Sequence, residues 1–150
     1  MINVSLRKIT AANWQACTQL KVSDEQVGMV PSNLYSIAEA QFYQAVALAV
    51  YDDDENIMVG FVLYGVDVHT GKYKVFRLMV DQAHQGKGYG RAAMRKVIRR
   101  LAAQADCDEV LICYKPANHA AQKLYASLGF VEQEVNDDQV LASLELTKQP

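Results

Sequence analysis

The chain is poor in the features that mark secreted, membrane-spanning or nucleic-acid-binding proteins. Its three cysteines, Cys17, Cys107 and Cys113, are an odd number, lie far apart and include no C-x-x-C pair. That excludes a disulfide framework and a zinc cluster, and no metal site is expected. No stretch approaches the ~20 consecutive apolar residues that span a bilayer, and Met1 to Thr10 has neither an apolar signal core nor a small-residue cleavage site. The reading is a cytoplasmic protein with no membrane partner. An excess of positive charge is missing too, since fifteen Lys plus Arg stand against seventeen Asp plus Glu for a formal net charge of -2. A global field that gathers nucleic-acid phosphates is therefore absent. No linker, repeat or low-complexity segment interrupts the 150 residues, 51% of them hydrophobic, so 1–150 is expected to form a single domain with a real core.

The elements follow from caps and periods. Thr10 is positioned to cap a helix over roughly 11–20, with Trp14 and Cys17 on its inner side. Ser23 with Gln26 and Ser36 with Glu39 both match a capping box, so a broken helical segment is expected over about 24–46. From Ala47 the period changes. Residues 47–51, 57–66 and 73–80 are rich in Val, Ile, Phe and Tyr and predict an antiparallel meander, with the acidic run 52–55 as a hairpin turn. Met94, Val97, Ile98 and Leu101 recur at i, i+3, i+4 and i+7 opposite Arg91, Arg95, Arg99 and Arg100, the mark of a long amphipathic helix. A short strand over 109–114 follows. A second helix carries Ala121, Leu124, Tyr125 and Leu128 on one face and stops at Gly129, where a left-handed turn is expected. Residues 131–135 and 140–146 predict a closing hairpin. The fold class is mixed α/β (α+β): a largely antiparallel central sheet of about six to seven strands, flanked by about four helices.

The chemistry-bearing segment runs from Val80 to Ala93, between a strand and the long helix. Gly86, Gly88 and Gly90 alternate and leave backbone N–H groups unshielded at a helix N-terminus, where amides and dipole attract an anion such as a phosphate. Lys87 is followed by Gly88 rather than by Ser or Thr, which rejects a P-loop. A dinucleotide fingerprint would need glycine at 91, where Arg91 stands.

The run Gln85-Gly86-Lys87-Gly88-Tyr89-Gly90 resembles the Q/R-x-x-G-x-G/A signature of the GCN5-related N-acetyltransferases. Downstream, Asn118, Ala121, Leu124-Tyr125 and Gly129-Phe130 fit that family's N-x-x-A-x-x-L-Y-x-x-x-G-F pattern. The element order resembles the family over the whole chain. Gln26, Asn33 and the run 36–40 are similar to its bacterial spermine/spermidine or diamine acetyltransferase branch.

The resemblance implies acetyl-coenzyme A as cosubstrate, its pantetheine arm paired with Leu78 and Val80 as an added strand and its pyrophosphate on the amides of Gly86 to Gly90. Gln85, Lys87, Tyr89 and Arg91 belong to the same cofactor-binding stretch, and Asn118 orients the pantetheine. An N–H near Met79 or Val80 is to stabilise the oxyanion and Tyr125 to act as general acid on the departing thiolate. Tyr125 also lies on an apolar face, where a tyrosine serves equally as core.

The base is open. Where many relatives carry a carboxylate, this strand has Lys74, Val75, Phe76 and Arg77. Glu25 or Glu39 as base or amine ligand, Asp67, and loss of the proton to bulk solvent are the alternatives. The expected acceptor is a small-molecule primary amine, foremost a polyamine. An amino acid, an aminoglycoside-like amine or a protein N-terminus comes second, and a non-catalytic acyl-coenzyme A sensor third. A homodimer is compatible with an exposed edge in the last hairpin.

Overall fold

In the computed structural model, which describes residues 2–29 and 31–147 apart from the side chain of Glu25, the elements run in the predicted order with one addition at the start. They are β1 (Val4–Lys8), α1 (Trp14–Gln19), α2 (Asn33–Ala40), β2 (Ala45–Asp52), β3 (Ile57–Val66), β4 (Tyr73–Val80), α3 (Tyr89–Ala102), β5 (Glu109–Tyr114), α4 (His119–Ser127), β6 (Val131–Val135) and β7 (Val140–Glu145). Single 3-10 turns lie at Asp24–Gln26 and Gln82–His84. The seven strands form one sheet in the order β1-β2-β3-β4-β5-β7-β6, antiparallel throughout except for β4 beside β5.

The extra strand is β1, where Val4 and Leu6 alternate inward and pair with Asp52 and Val50. Both helix starts near the N-terminus differ from expectation. The capping serine of α2 is Ser32, whose hydroxyl accepts from the Tyr35 amide, while Ser36 sits inside the helix and donates to the Ser32 carbonyl. No Ser36–Glu39 box forms, which leaves Glu39 free for another partner. Ser23 likewise caps no backbone group, and its hydroxyl bonds the Gln26 side chain at 3.2 Å. At six residues, α1 is too short to bury two positions, so only Cys17 is buried and Trp14 is 41% exposed.

The sheet separates two apolar layers. On one face α3 and α4 pack Ala93, Met94, Val97, Leu101 and Tyr125 against Leu48, Val50, Val62 and Val75. On the other, α1 and α2 cover Phe61, Leu63 and Met79. Gly60 lies against the Met79 carbonyl, which a Cβ there would approach to 2.5 Å, so the β3–β4 contact needs glycine at that place.

Two irregularities in β4 matter most. Pairing with β3 runs Val75↔Tyr64 and then Arg77↔Leu63, so Phe76 is a bulge residue with no partner. Pairing with β5 covers only Tyr73↔Val110, Lys74↔Leu111 and Val75↔Ile112. Beyond Val75 the two strands part, and the sheet splits open along one edge of β4. Met94 sits beneath this arrangement at 0% exposure. Met94→Ala is expected to cost about 2–5 kcal/mol, read as a lowered midpoint in urea unfolding with an unchanged slope.

Candidate active site

The split is the entrance to a groove of about 750 Å³, lined by β4 from Lys74 to Val80, the loop and first turn of α3, the end of β5, α4, and residues 138 and 139. Its chemistry begins with the backbone. The Asp81 amide donates to the Val59 carbonyl at 2.8 Å. By the alternation of an antiparallel ladder, Met79 and Arg77 turn their backbone groups toward β3, and Leu78 and Val80 turn theirs into the split. Leu78 and Val80 thus face the groove as an unpaired strand edge. Met79 also lines the groove, but by the same alternation its backbone groups turn to β3, and its buried sulfur receives the Asn33 amide at 3.5 Å. An oxyanion donor from this strand is accordingly the Val80 N–H rather than that of Met79.

At the end of β4 the chain enters the glycine loop. Gly86 and Gly88 have φ of +77° and +96°, a left-handed backbone that other residues adopt only under strain. This turn aims successive amides the same way. Ala92 is the first to find a helical acceptor, on Gly88, and the amides from Gly86 to Arg91 have no acceptor among the described residues. With the α3 dipole they form a cradle for a phosphate. The side chains of the loop divide differently. Lys87 is exposed and does not line the groove. Gln85 lines it, but its side-chain N–H₂ is spent on Gln26 and on the Val80 carbonyl, both at 2.9 Å.

Tyr89 points inward and anchors the loop. Its hydroxyl donates to Asp52 at 2.5 Å, and the other oxygen of Asp52 accepts the amides of Asp54 and Glu55. The bond from Tyr89 holds the Asp52 carboxyl below its usual range, and the carboxylate in turn pushes the Tyr89 hydroxyl up to about 12. Asp52, legible in the sequence only as part of a hairpin turn, is thus the fixed point for the start of α3.

On the far wall α4 presents Asn118 and Tyr125. Asn118 caps the helix through its side-chain oxygen on the Ala121 amide at 3.2 Å, which leaves its N–H₂ for the groove. Tyr125 closes the helix in a Schellman turn: its carbonyl accepts the Phe130 amide, Gly129 stands at φ +99°, and the Phe130 ring packs edge-on to the Tyr125 ring at 5.7 Å. Tyr114 lies 5.7 Å away on the other side. Burial pushes the Tyr125 hydroxyl well above its ordinary value, and that hydroxyl has no hydrogen-bond partner among the described residues. It reaches the groove fully protonated.

The carboxylates considered as base are already engaged. Glu39 pairs with Arg77 at 3.3 Å and Asp67 with Lys74 at 3.6 Å. Glu25 falls in the 3-10 turn before α2, and its side chain lies outside the described residues. Arg77 also donates to the carbonyl of the bulged Phe76 at 2.9 Å, while its Nε is a buried nitrogen with no partner. Arg91, Lys115 and Lys123 line the groove without a carboxylate partner among the described residues. Lys115, Lys123, Asp138 and Gln139 escaped the sequence reading, because nothing in a strand end, a helix face or a polar turn marks them as groove-lining. No group of His, Cys, Asp and Glu able to hold a metal occurs among the described residues. Burial pushes the Cys17 thiol up to about 11, which leaves it inert.

An unpaired strand edge leading into a cradle of free amides, with a protonated tyrosine opposite, suits an extended phosphate-bearing ligand. Residues 8–130 match the Acetyltransferase (GNAT) family. The chain belongs to this family. It is an acetyl-CoA-dependent N-acetyltransferase. A spermine/spermidine N(1)-acetyltransferase of Bacillus subtilis is 28% identical over 152 residues, 93% of this chain and 97% of that protein. The crystal structure of spermidine N-acetyltransferase from Vibrio cholerae in complex with CoA and spermine shares the fold at a TM-score of 0.71 and 16% identity, covering 95% of each chain. The ribosomal-protein-S18-alanine N-acetyltransferase of Escherichia coli superposes with a TM-score of 0.73 at 19% identity, over 99% of this chain and 97% of that one.

In this GNAT chain the Tyr89–Asp52 bond sets where the cradle stands. Tyr89→Phe is expected to raise the KM for acetyl-CoA roughly three- to tenfold while leaving the KM for the amine unchanged. The bond's contribution to stability has two limits. Asp52 is depressed, so its share is present above the ordinary carboxylate value near pH ~4 and is lost as the pH falls through the lowered value. Tyr89 is raised, so its share is present below pH ~10 and is lost as the pH climbs toward 12. The Tm difference between wild type and Tyr89→Phe is expected to stay constant from about pH 5 to 9 and to narrow below about pH 4.

Proposed function

We propose that the chain transfers the acetyl group of acetyl-CoA directly to a small aliphatic primary amine within a ternary complex, with spermine or spermidine as the leading acceptor. The observation that carries this is the meeting, in one groove, of the free β4 edge at Leu78 and Val80, the free amides of Gly86 to Arg91, and the Tyr125 hydroxyl. The 28% identity to the Bacillus polyamine enzyme over nearly the whole chain supports the acceptor class.

Each group has a definite task. The edge of β4 aligns the pantetheine arm by main-chain pairing, and the amides, helped by Arg91, take the pyrophosphate. Asn118 offers its free N–H₂ to the same arm. The amine nitrogen attacks the thioester carbonyl while the Val80 N–H donates to the developing oxyanion. The C–S bond then breaks, Tyr125 delivers its proton to the departing sulfur, and the proton shed by the nitrogen as it becomes the amide restores the Tyr125 hydroxyl through the groove solvent. Burial keeps Tyr125 protonated and so available at any working pH, and because its hydroxyl is a weaker acid than a thiol of reference value ~8.5, the transfer is driven by simultaneous loss of a proton from the nitrogen that becomes the amide. The proton of the incoming ammonium goes to bulk solvent through the open groove, since Glu39 and Asp67 are held in ion pairs. Cys113 lines the groove but has no histidine partner to activate it, and no acyl-enzyme is part of the proposal.

The test is thiol release from acetyl-CoA across spermine, spermidine, putrescine, amino acids, aminoglycosides and a peptide N-terminus. Tyr125→Phe is expected to lower kcat by about 10²–10⁴ with CoA affinity unchanged by calorimetry. Equal turnover in both proteins removes Tyr125 from the role of acid, and CoA binding without turnover on any amine points to a sensor. The pH profile separates solvent deprotonation from an enzymic base. With solvent as the sink, kcat/KM rises about tenfold per pH unit below the amine's value of ~10.4. A plateau near neutrality reveals a base on the protein.

A further inference from the structure

An amine reaches the groove as an ammonium, and a di- or polyamine brings at least one cation that is never acetylated. The charges on the groove wall sort into three sets. Lys74 and Arg77 are neutralised by Asp67 and Glu39, at 3.6 and 3.3 Å. Arg91, Lys115 and Lys123 have no carboxylate within 4 Å among the described residues, which leaves them for the anionic coenzyme. What remains is Asp138, the one carboxylate on the wall among the described residues, and it too has no charged partner.

The sheet register and the groove lining put Asp138 in the same groove as Tyr125. Pairing between β4 and β5 stops at Val75↔Ile112, and two residues further on Tyr114 pairs with Val140. The turn before Val140 therefore lies at the end of β5 that borders the split, and Asp138 lines the same groove as Tyr114 and Tyr125, whose rings pack at 5.7 Å. Asn136 braces this turn. Its side-chain oxygen accepts the amides of Asp138 and Gln139 at 2.8 and 2.9 Å, and its amide donates to the Gln139 carbonyl at 3.1 Å. The backbone of Asp138 is held, and its carboxylate is left without a hydrogen bond among the described residues.

We propose that Asp138 is the ammonium-binding residue of the acceptor site and that it selects amines carrying a second cationic nitrogen. It holds one ammonium by a charge-assisted hydrogen bond while the other nitrogen, deprotonated, reaches the thioester beside Tyr125. This rests on the acetyl-transfer reading above and adds to it the residue that distinguishes a diamine from a monoamine.

The experiment compares wild type, Asp138→Asn and Asp138→Glu with spermidine, 1,4-diaminobutane and butylamine. In wild type the diamines are expected to have the lower KM. Asp138→Asn is expected to raise the KM for spermidine about tenfold while the KM for butylamine, the KM for acetyl-CoA and kcat stay unchanged, and Asp138→Glu to keep most of the affinity. Calorimetric titration of spermidine into the protein saturated with CoA reads the same tenfold loss without turnover. Equal spermidine affinity in wild type and Asp138→Asn overturns the proposal, as does a wild type that treats diamine and monoamine alike. If no amine releases thiol, the transfer reading fails by itself, and the titration still decides the role of Asp138.

Discussion

A strand that loses its neighbour halfway along must find other partners for the backbone groups it uncovers, and this obligation organises the whole site. Strand β4 has β5 beside it only as far as Val75, and the bulge at Phe76 turns it away just there. The protein meets part of the debt itself. Arg77 reaches back to the carbonyl of Phe76, and Gln85 reaches back to that of Val80. Both groups of Leu78 are left, which an extended amide-bearing arm can complete, and the N–H of Val80 is left beside them. The bulge is therefore a device that converts the middle of a sheet into an internal edge, protected from aggregation by its depth in the fold.

Placing catalytic groups around that edge requires two anchors of different kinds. On the cradle side, a buried tyrosine and a carboxylate fix the first residue of α3 to the end of β2, so the glycines can keep their left-handed turn without the loop wandering. On the acid side, a helix terminus does the work. The Schellman turn after α4 ties the Tyr125 carbonyl to the Phe130 amide and sets the two rings edge to face, so Tyr125 is held by the element that ends its own helix. The two anchors share no residue, which makes the amide cradle and the Tyr125 side of the groove separable by mutation.

Much of this was legible in the residues because it is local. The alternating glycines, the stripe from Met94 to Leu101 and the stop at Gly129 each depend on neighbours within a few positions, and each stands where its spacing places it. What escaped depends on contacts distant in sequence or on competition between equal signals. Ser32 and Ser36 are both plausible caps, and the helix starts at the one that lets Asn33 bury its amide against Cys17 and Met79. Strand β1 has a clear alternation but only five residues, and its place comes from β2 rather than from its own period. The split itself needs the register of β4 against β5, elements separated by a whole helix. The difference between Met79, turned to β3, and its neighbours Leu78 and Val80 follows from that register alone.

Charge is the extreme case of the same limitation. By residue type the groove is basic, with Lys74, Arg77, Arg91, Lys115 and Lys123 against Asp138 as the single carboxylate among the described residues, and a polycationic acceptor looks excluded. Pairing reverses the sense. The two cations of β4 are neutralised from behind by Asp67 and Glu39, residues that belong to a hairpin and to α2. Three cations, Arg91, Lys115 and Lys123, and one carboxylate, Asp138, are left on the wall without a charged partner among the described residues. The field a substrate meets is the residue after internal pairs have cancelled, so acceptor specificity in this protein is a property of its ion-pair geometry rather than of its composition.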